Sequence, residues 1–565
     1  MHHVQRSRRR AALVALALAM LAAASVSMVS AQGGSSRSSK GPLATINHVV
    51  VIYEENHSFD NLYGGWEKVN GLQNADAAHT TQVDQTGVPY ACLRQNDVNL
   101  AALTASCTDA AHSISSAFPN KPFTIDTLIP ASASTCPPPL KAFSFPNGVP
   151  NGGQGRPGGC TRDIVHKFYQ ELYQLNGGRQ NRYQVGSDAI GLTMGVYDTK
   201  ALPIYKWLHG PKHPAYAIAD NFFQAAFGGS FLNHQWLIAA ASPQDPNAPA
   251  NLRSLVDSAG FPRSNYPLYT PDPAATYRDG DFTVTCPAPL PTLACGNYAV
   301  NTMQPAFEPF GTFGEQLVAQ SSPTIGDRLT AKGVDWAWYA GGWSNAAGVV
   351  NGPGWTNGNG PTCSDPNHDP TTKYTFPKCP DNVFQFHHQP FVYFANYAPG
   401  TPGRAHLQDE QAFIQALGKS SKKTGKSCAL KPVSFVKPIG EENEHPGYAS
   451  QSAGNSHLVN LLQFIEGGNC AKDTMVVVTY DEFGGQWDHV PPPGQGNSNG
   501  PHDLFGPGTR IPALIMAPGV KGFVVDHTEH DTTSILATIE HRWGLDPLGT
   551  RDAAVPDLAS VFQAK

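Results

Sequence analysis

Two apolar runs of this chain end directly in carboxylates. "HVVVIY" at residues 48–53 passes straight into Glu54, Glu55 and Asn56, and "MVVVTY" at 475–480 passes into Asp481 and Glu482, two glycines, then Asp488 and His489. Carboxylate and amide oxygens presented together make a hard, oxygen-rich site. Such a site suits a divalent cation of the magnesium, calcium or manganese type, and nearby histidines would move the preference toward zinc or iron. A lone acid at the end of a strand more often caps a helix or faces solvent. Two clusters with the same arrangement point instead to a shared ion.

A third segment supplies a nucleophile. In "FGGSFLNHQWLIAAAS", Ser230 follows two glycines and opens an apolar run of helical character. Its hydroxyl would stand at a helix N-terminus, where free N–H groups favour an anion such as phosphate. The ordinary role of such a serine is to cap the helix. Contact with a cation would lower its pKa and make it a nucleophile. Histidines in polar, turn-rich contexts can bind phosphate oxygens or transfer a proton. The candidates are His166 in "RDIVHKFYQ", His387 and His388 in "VFQFHHQPF", and His445 in "EENEHPGY". The chain has 21 histidines, so spacing by itself selects none.

Other motifs carry less. "GNSNG" at 496–500 matches the G-x-S-x-G elbow in form, but it follows "PPPGQ" where that motif needs a strand, which places Ser498 in a loop. "DPNHD" at 365–369 lacks the later Gly and Glu of a calcium loop. Asn56-His57-Ser58 is a glycosylation sequon by pattern, incompatible with Asn56 as a metal ligand.

The elements that must position these residues read as α/β. Runs such as "HVVVIY", "MVVVTY" and "IPALIMAP" are apolar without alternation, which suits strands of a sheet covered on both faces. In an open α/β sheet, functional residues collect just beyond the carboxyl ends of the strands. Helical patterns lie between, as in "DTKALPIYKWLHG", with Asp198 as N-cap and Gly210 as stop. Stretches near 66–158, 243–310 and 346–380 are rich in Pro, Gly, Asn and Thr and read as insertions into a single catalytic domain at 45–565. "DWAWYAGGW" is expected to be core, with an aromatic substrate rim as the other reading.

Arg6, Arg8, Arg9 and Arg10 precede an Ala/Leu/Val run ending in "VSA", which reads as an export signal at 1–31, cleaved near Ala31 and followed by a flexible linker at 32–44. "SRRR" resembles a twin-arginine signal, so the export route stays open. The expected product is periplasmic or secreted. Removal of the signal leaves a net charge of about −10 and so argues against a nucleic-acid partner. No later run reaches the ~18 apolar residues of a membrane span. Ten cysteines in an exported chain suggest disulfides, paired in sequence as Cys92/Cys107, Cys136/Cys160, Cys286/Cys295, Cys363/Cys379 and Cys428/Cys470.

Seven signatures in chain order, "EENHSFDNLYG", "GGSFLNHQ", "FQFHHQPF", "NEHPGY", "TYDEFGGQWDHVPPP", "GTRIPALIMAP" and "HDTTSILATIEHRWGL", resemble the bacterial phosphoesterase family of exported acid phosphatases and non-haemolytic phospholipases C. The resemblance implies an alkaline-phosphatase-like central mixed sheet with helices on both faces, here with disulfide-stapled loop insertions. It also implies a metal-assisted serine nucleophile and a phosphoseryl intermediate. Glu55, Asn56, Asp481 and Glu482 match the family's metal ligands, although Glu482 stands where some members have Asp. Ser230 matches the nucleophile, which also touches the metal. His166, His388 and His445 match the histidines on the phosphoryl group, with His387 a second candidate beside His388. The ion is left among Mg, Ca, Mn, Zn and Fe.

The expected function is that of a secreted acid phosphatase acting on small phosphate monoesters. An acidic working range follows if the histidines must be protonated. The alternative is a phospholipase C cleaving phosphatidylcholine-type diesters, with lipid head groups as partners. More distant readings are a serine esterase using Ser498 and a non-catalytic binding protein.

Overall fold

The computed structural model describes residues 41–94, 104–127, 164–187, 190–211, 213–245, 298–311, 314–358, 374–381, 383–420, 427–446, 448 and 450–564. The expected signal peptide, most of the linker, the "DPNHD" loop, and Cys136, Cys160, Cys286, Cys295 and Cys363 lie outside the described residues.

The strands of the main sheet are β1 (His48–Glu54), β2 (Tyr216–Ala219), β3 (Trp336–Ala340), β4 (Leu407–Asp409), β5 (Val433–Lys437), β6 (Thr474–Tyr480), β7 (Ala513–Met516) and β8 (Phe523–Asp526), in spatial order β8-β2-β7-β6-β1-β5-β3-β4. β7 runs antiparallel to both its neighbours while every other pairing is parallel, so the sheet is mixed, with one reversed strand. Successive side chains of a strand point to opposite faces. Unbroken burial along β3, β5, β6 and β7 therefore means that both faces are covered, as the continuous apolar runs require.

Five helices bear on the site or its supports: α1 (Phe168–Leu175), α2 (Ser230–Ala239), α3 (Glu410–Lys419), α4 (Gln451–Gly467) and α5 (Thr533–Trp543). α4 packs against α3, and α2 packs against α5. In "DTKALPIYKWLHG", Asp198 caps a 3-10 turn at Thr199–Ala201, and the α-helix begins later, at Pro203–Leu208. The cause is Pro203, which presets the first helical position and drives Leu202 into extended backbone at ψ 137°. The helix ends two residues before Gly210.

Between Trp66 and Asp126 lies a small ribbon, Cys107–Asp109 against Ile114–Ser116, stapled by the Cys92–Cys107 disulfide. A second disulfide, Cys428–Cys470, ties the entry of β5 to the end of α4, and Cys379 is also disulfide-bonded. Trp336, Trp338 and Trp343 are at most 2% exposed, so "DWAWYAGGW" is core. Among the described residues no helix is long and apolar enough to cross a membrane.

Candidate active site

The register of β1 and β6 sets the site. Glu54 pairs with Tyr480, so the next residues, Glu55 and Asp481, leave the sheet side by side. Asn56 takes a left-handed backbone (φ 59°), which asparagine tolerates better than most side chains. Its N–H donates to Asp481 Oδ1 at 3.0 Å, and the Glu482 N–H donates to the same oxygen at 2.8 Å. Gly484 packs on this turn with φ +62°. A Cβ there would lie 2.3 Å from the Asn56 carbonyl oxygen, so glycine is required.

Ser230 is the first residue of α2, and its N-cap is Gly229. The backbone therefore caps the helix, and the serine hydroxyl is left for the site. Gly228 has φ +90° and touches the start of α1, where a Cβ would be 2.6 Å from the Phe168 nitrogen. Glu171 of α1 fixes this loop from behind: Oε2 accepts from the Gly228 N–H at 2.5 Å and from Gln224 Nε2 at 2.9 Å. Oε1 accepts from the Thr509 N–H and hydroxyl. Gln224 Oε1 in turn accepts from the Phe483 N–H, next to Glu482. The Ser230 loop and the acidic turn are thus braced by one buried pair.

Ser230 Oγ lies 3.3 Å from Glu55 Oε2, 3.4 Å from Asn56 Oδ1 and 3.5 Å from Glu482 Oε1. Oxygen ligands about 2.0–2.4 Å from a common centre are themselves roughly this far apart. Burial, followed by mutual repulsion, drives the Glu55 and Glu482 carboxyls well above their usual range, and burial raises Asp481 too. Asp481 Oδ2 has no hydrogen-bond partner. Against the three acids stands the ammonium of Lys437, 2.5 Å from Glu55 Oε1 and 3.0 Å from the Tyr53 carbonyl. Buried carboxylates this short of positive charge, together with an amide and a hydroxyl oxygen, fit a divalent cation.

The histidines close the other side. His445 Nδ1 meets the Pro446 carbonyl at 2.7 Å, which leaves Nε2 to accept from Asn56 Nδ2 at 3.1 Å. His166 is held through Nδ1 by the Ile164 carbonyl, and its Nε2 lies 3.5 Å from Asn56 Nδ2 and 3.6 Å from Glu482 Oε1. Of the adjacent pair, His388 is the one that reaches the acids, with Nδ1 3.1 Å from Glu55 Oε1. His387 stacks edge-on against it at 4.3 Å. Burial pushes His388 and His445 well below the usual imidazole range and His387 down to about 3, with neighbouring imidazoles adding to the effect. Burial thus favours the neutral form of these rings, and the negative charge of a phosphoryl group would act against it.

Two residues at the site were missed in the sequence. His234 lies one helical turn after Ser230, with Nδ1 on the Ser230 carbonyl at 2.8 Å and Nε2 3.6 Å from Glu55 Oε1. Its i, i+4 spacing from Ser230 on one helix face was a legible signal. Lys437 ends β5 beside β1, and a polar residue at the carboxyl end of an apolar strand was likewise legible.

The groups around Asp488 and Ser498 are structural. Asp60, Asp488 and His489 converge, but Arg510 fills the position between them, with Nη2 3.1 Å from Asp60 and Nε 3.1 Å from Asp488. Ser498 sits in a turn and donates to Glu529 Oε2 at 2.9 Å. Asn56 is fully buried, so the sequon is inaccessible in the folded chain.

The Phosphoesterase family matches residues 46–546, nearly the whole described chain, and the protein belongs to that family. It is 22% identical over 553 residues to phospholipase C A of Mycobacterium tuberculosis, covering 92% of this chain and 78% of that one. Phospholipase C B of the same organism is 31% identical over 157 residues, 24% of this chain and 29% of the relative, so the match spans under a third of that relative's length. The non-hemolytic phospholipase C of Pseudomonas aeruginosa is 25% identical over 214 residues, 32% of this chain and 30% of the relative. A solved Vibrio parahaemolyticus protein of the alkaline phosphatase superfamily aligns with a TM-score of 0.27 at 12% identity, covering 65% of this chain and 66% of that one, a likeness too weak to argue from.

Proposed function

We propose that the protein is a metal-assisted phosphoester hydrolase with Ser230 as nucleophile. The observation that carries the reading is the Ser230 hydroxyl at 3.3–3.5 Å from oxygens of Glu55, Asn56 and Glu482, on the first turn of a buried helix. A divalent cation held by Glu55, Asn56, Ser230, Asp481 and Glu482 would lower the hydroxyl pKa and neutralise phosphoryl charge. Ser230 Oγ, its proton released to solvent, then bonds to phosphorus as the bond to the leaving alcohol breaks. His166, His388 and His445 orient the phosphoryl oxygens, and His166, the most solvent-accessible of the three, returns a proton to the alcohol. Water, giving a proton to His166, then adds to phosphorus as the bond to Ser230 Oγ breaks, and the serine oxygen regains its proton from solvent.

The monoester reading, that of an exported acid phosphatase, follows from the sequence signatures, with residues 1–31 as its export signal. One observation favours a second reading, a diester with a positively charged head group. A cavity of about 440 Å³ is lined by Asp381, Asp409, Glu410, Glu441 and Glu442. It shares Gly341 and Ile439 with the pocket that touches His388 and Lys437. The relatives named phospholipase C fit this second reading.

The test is release of p-nitrophenol from p-nitrophenyl phosphate and from p-nitrophenyl phosphocholine, with Mg, Ca, Mn, Zn or Fe(II) added back. Ser230→Ala should lose at least ~10³-fold in kcat while still binding the ion, and Ser498→Ala should match the wild type. Turnover surviving in Ser230→Ala refutes the reading. Preference for the phosphocholine ester decides for the diester.

A further inference from the structure

The two oxygens of Glu55 face different groups. Oε2 faces the Ser230 hydroxyl. Oε1 turns the other way, toward His388 Nδ1 at 3.1 Å and His234 Nε2 at 3.6 Å, and the two rings lie parallel at 4.9 Å, tilted by 11°. One carboxylate oxygen and two imidazole nitrogens, all buried and within 4.8 Å of one another, form a ligand set of the zinc type. His234 Nε2 is fully buried and has no hydrogen-bond partner. The Lys437 ammonium stands at this group, 2.5 Å from Glu55 Oε1 and 1% exposed.

We propose that Lys437 is a resident second cation: its ammonium blocks the Glu55, His234 and His388 position against a second metal ion and holds the site to one ion per chain. The proposal rests on the phosphoesterase reading for the first ion. Charge balance agrees, because Glu55, Asp481 and Glu482, once ionised, carry three negative charges, which one divalent ion and one ammonium match. The ammonium is also placed by the fold. Ile52 pairs with Val436, so Lys437 follows alongside Tyr53, whose carbonyl takes one of its protons. A lysine so held serves as a fixed point charge on a compact head. With a neutral side chain in its place, a second ion would share Glu55 with the first.

The experiment counts manganese per chain by elemental analysis and records the Mn(II) spectrum by electron paramagnetic resonance, on the full chain without substrate. Wild type and Lys437→Arg should hold one ion with an isolated-ion spectrum. Lys437→Met should hold one more than wild type, with the two ions spin-coupled through Glu55, and adding His234→Ala to it should return the count to one. A coupled pair in the wild type overturns the proposal, as does an unchanged count in folded Lys437→Met. If Lys437→Met does not fold, the wild-type spectrum and His234→Ala alone still decide: loss of the ion in His234→Ala would place His234 in the first site and overturn it. The count is read without turnover, so a chain that binds one ion and hydrolyses nothing refutes the proposed function and leaves this inference standing.

Discussion

Removing the proposed cation should destabilise the protein by an amount that grows with pH. Glu55, Asp481 and Glu482 are fully buried together, and burial raises all three carboxyls. A carboxyl whose folded pKa is raised above its unfolded value of about 4 lowers stability once the pH passes that unfolded value, progressively up to the folded pKa. The metal-free protein should therefore lose stability as pH rises, because protons no longer neutralise the cluster. In the loaded protein the ion has displaced those protons, and the loss is absent. Each proton displaced changes the gap between the two forms by about 1.4 kcal/mol per pH unit. At a hundredfold excess over Kd, the ion adds about 2.7 kcal/mol. Unfolding entropy of ~2.1 cal/mol/K per residue, over roughly 500 residues, amounts to about 1 kcal/mol/K. The loaded form should thus melt roughly 3 °C higher, and the gap should widen by about 1.4 °C per pH unit for each proton. Scanning calorimetry of dialysed, metal-free protein with and without manganese at pH 5, 6.5 and 8 reads this directly. A gap that is constant or narrows as pH rises refutes the charge argument.

Three further outcomes are expected. Glu171→Gln sets an amide donor against the Gly228 and Gln224 donors and should lower kcat by roughly 10–100-fold with KM little changed, as an interaction realised in the transition state would; a fall in Tm at unchanged kcat would reduce Glu171 to a structural role. Arg510→Met leaves Asp60 and Asp488 buried without their cation and should destabilise the fold by about 3–5 kcal/mol, seen as a Tm drop of several degrees by calorimetry. Replacing Cys428 and Cys470 together by serine opens a loop closed across 42 residues and should destabilise by about 4 kcal/mol on the chain-entropy estimate, measured by denaturant titration.

The acids and the serine were legible because each stands where local sequence speaks plainly: Glu55 and Asp481 after unbroken apolar runs, Ser230 after paired glycines. The choice between His387 and His388 was not, because a 3-10 turn at Phe386–His388 decides which ring points inward, and adjacent histidines look alike in sequence. Glu171 and Gln224 were invisible for a different reason. Their partners lie as far as 338 residues away in the chain, and nothing near Glu171 separates a buried brace from a solvated helix acid. The strand order, with its one reversed member, likewise depends on contacts between remote segments.

The placement of β6 between β1 and β7 also bears on timing. A ribosome that has made Ser230 has made the proposed nucleophile, but Asp481 emerges some 250 residues later, and β1 has no neighbour on that side until then. The proposed site is therefore incomplete on the growing polypeptide until Asp481 has emerged. Its acids and its lysine come together only once β5 and β6 have docked on either side of β1.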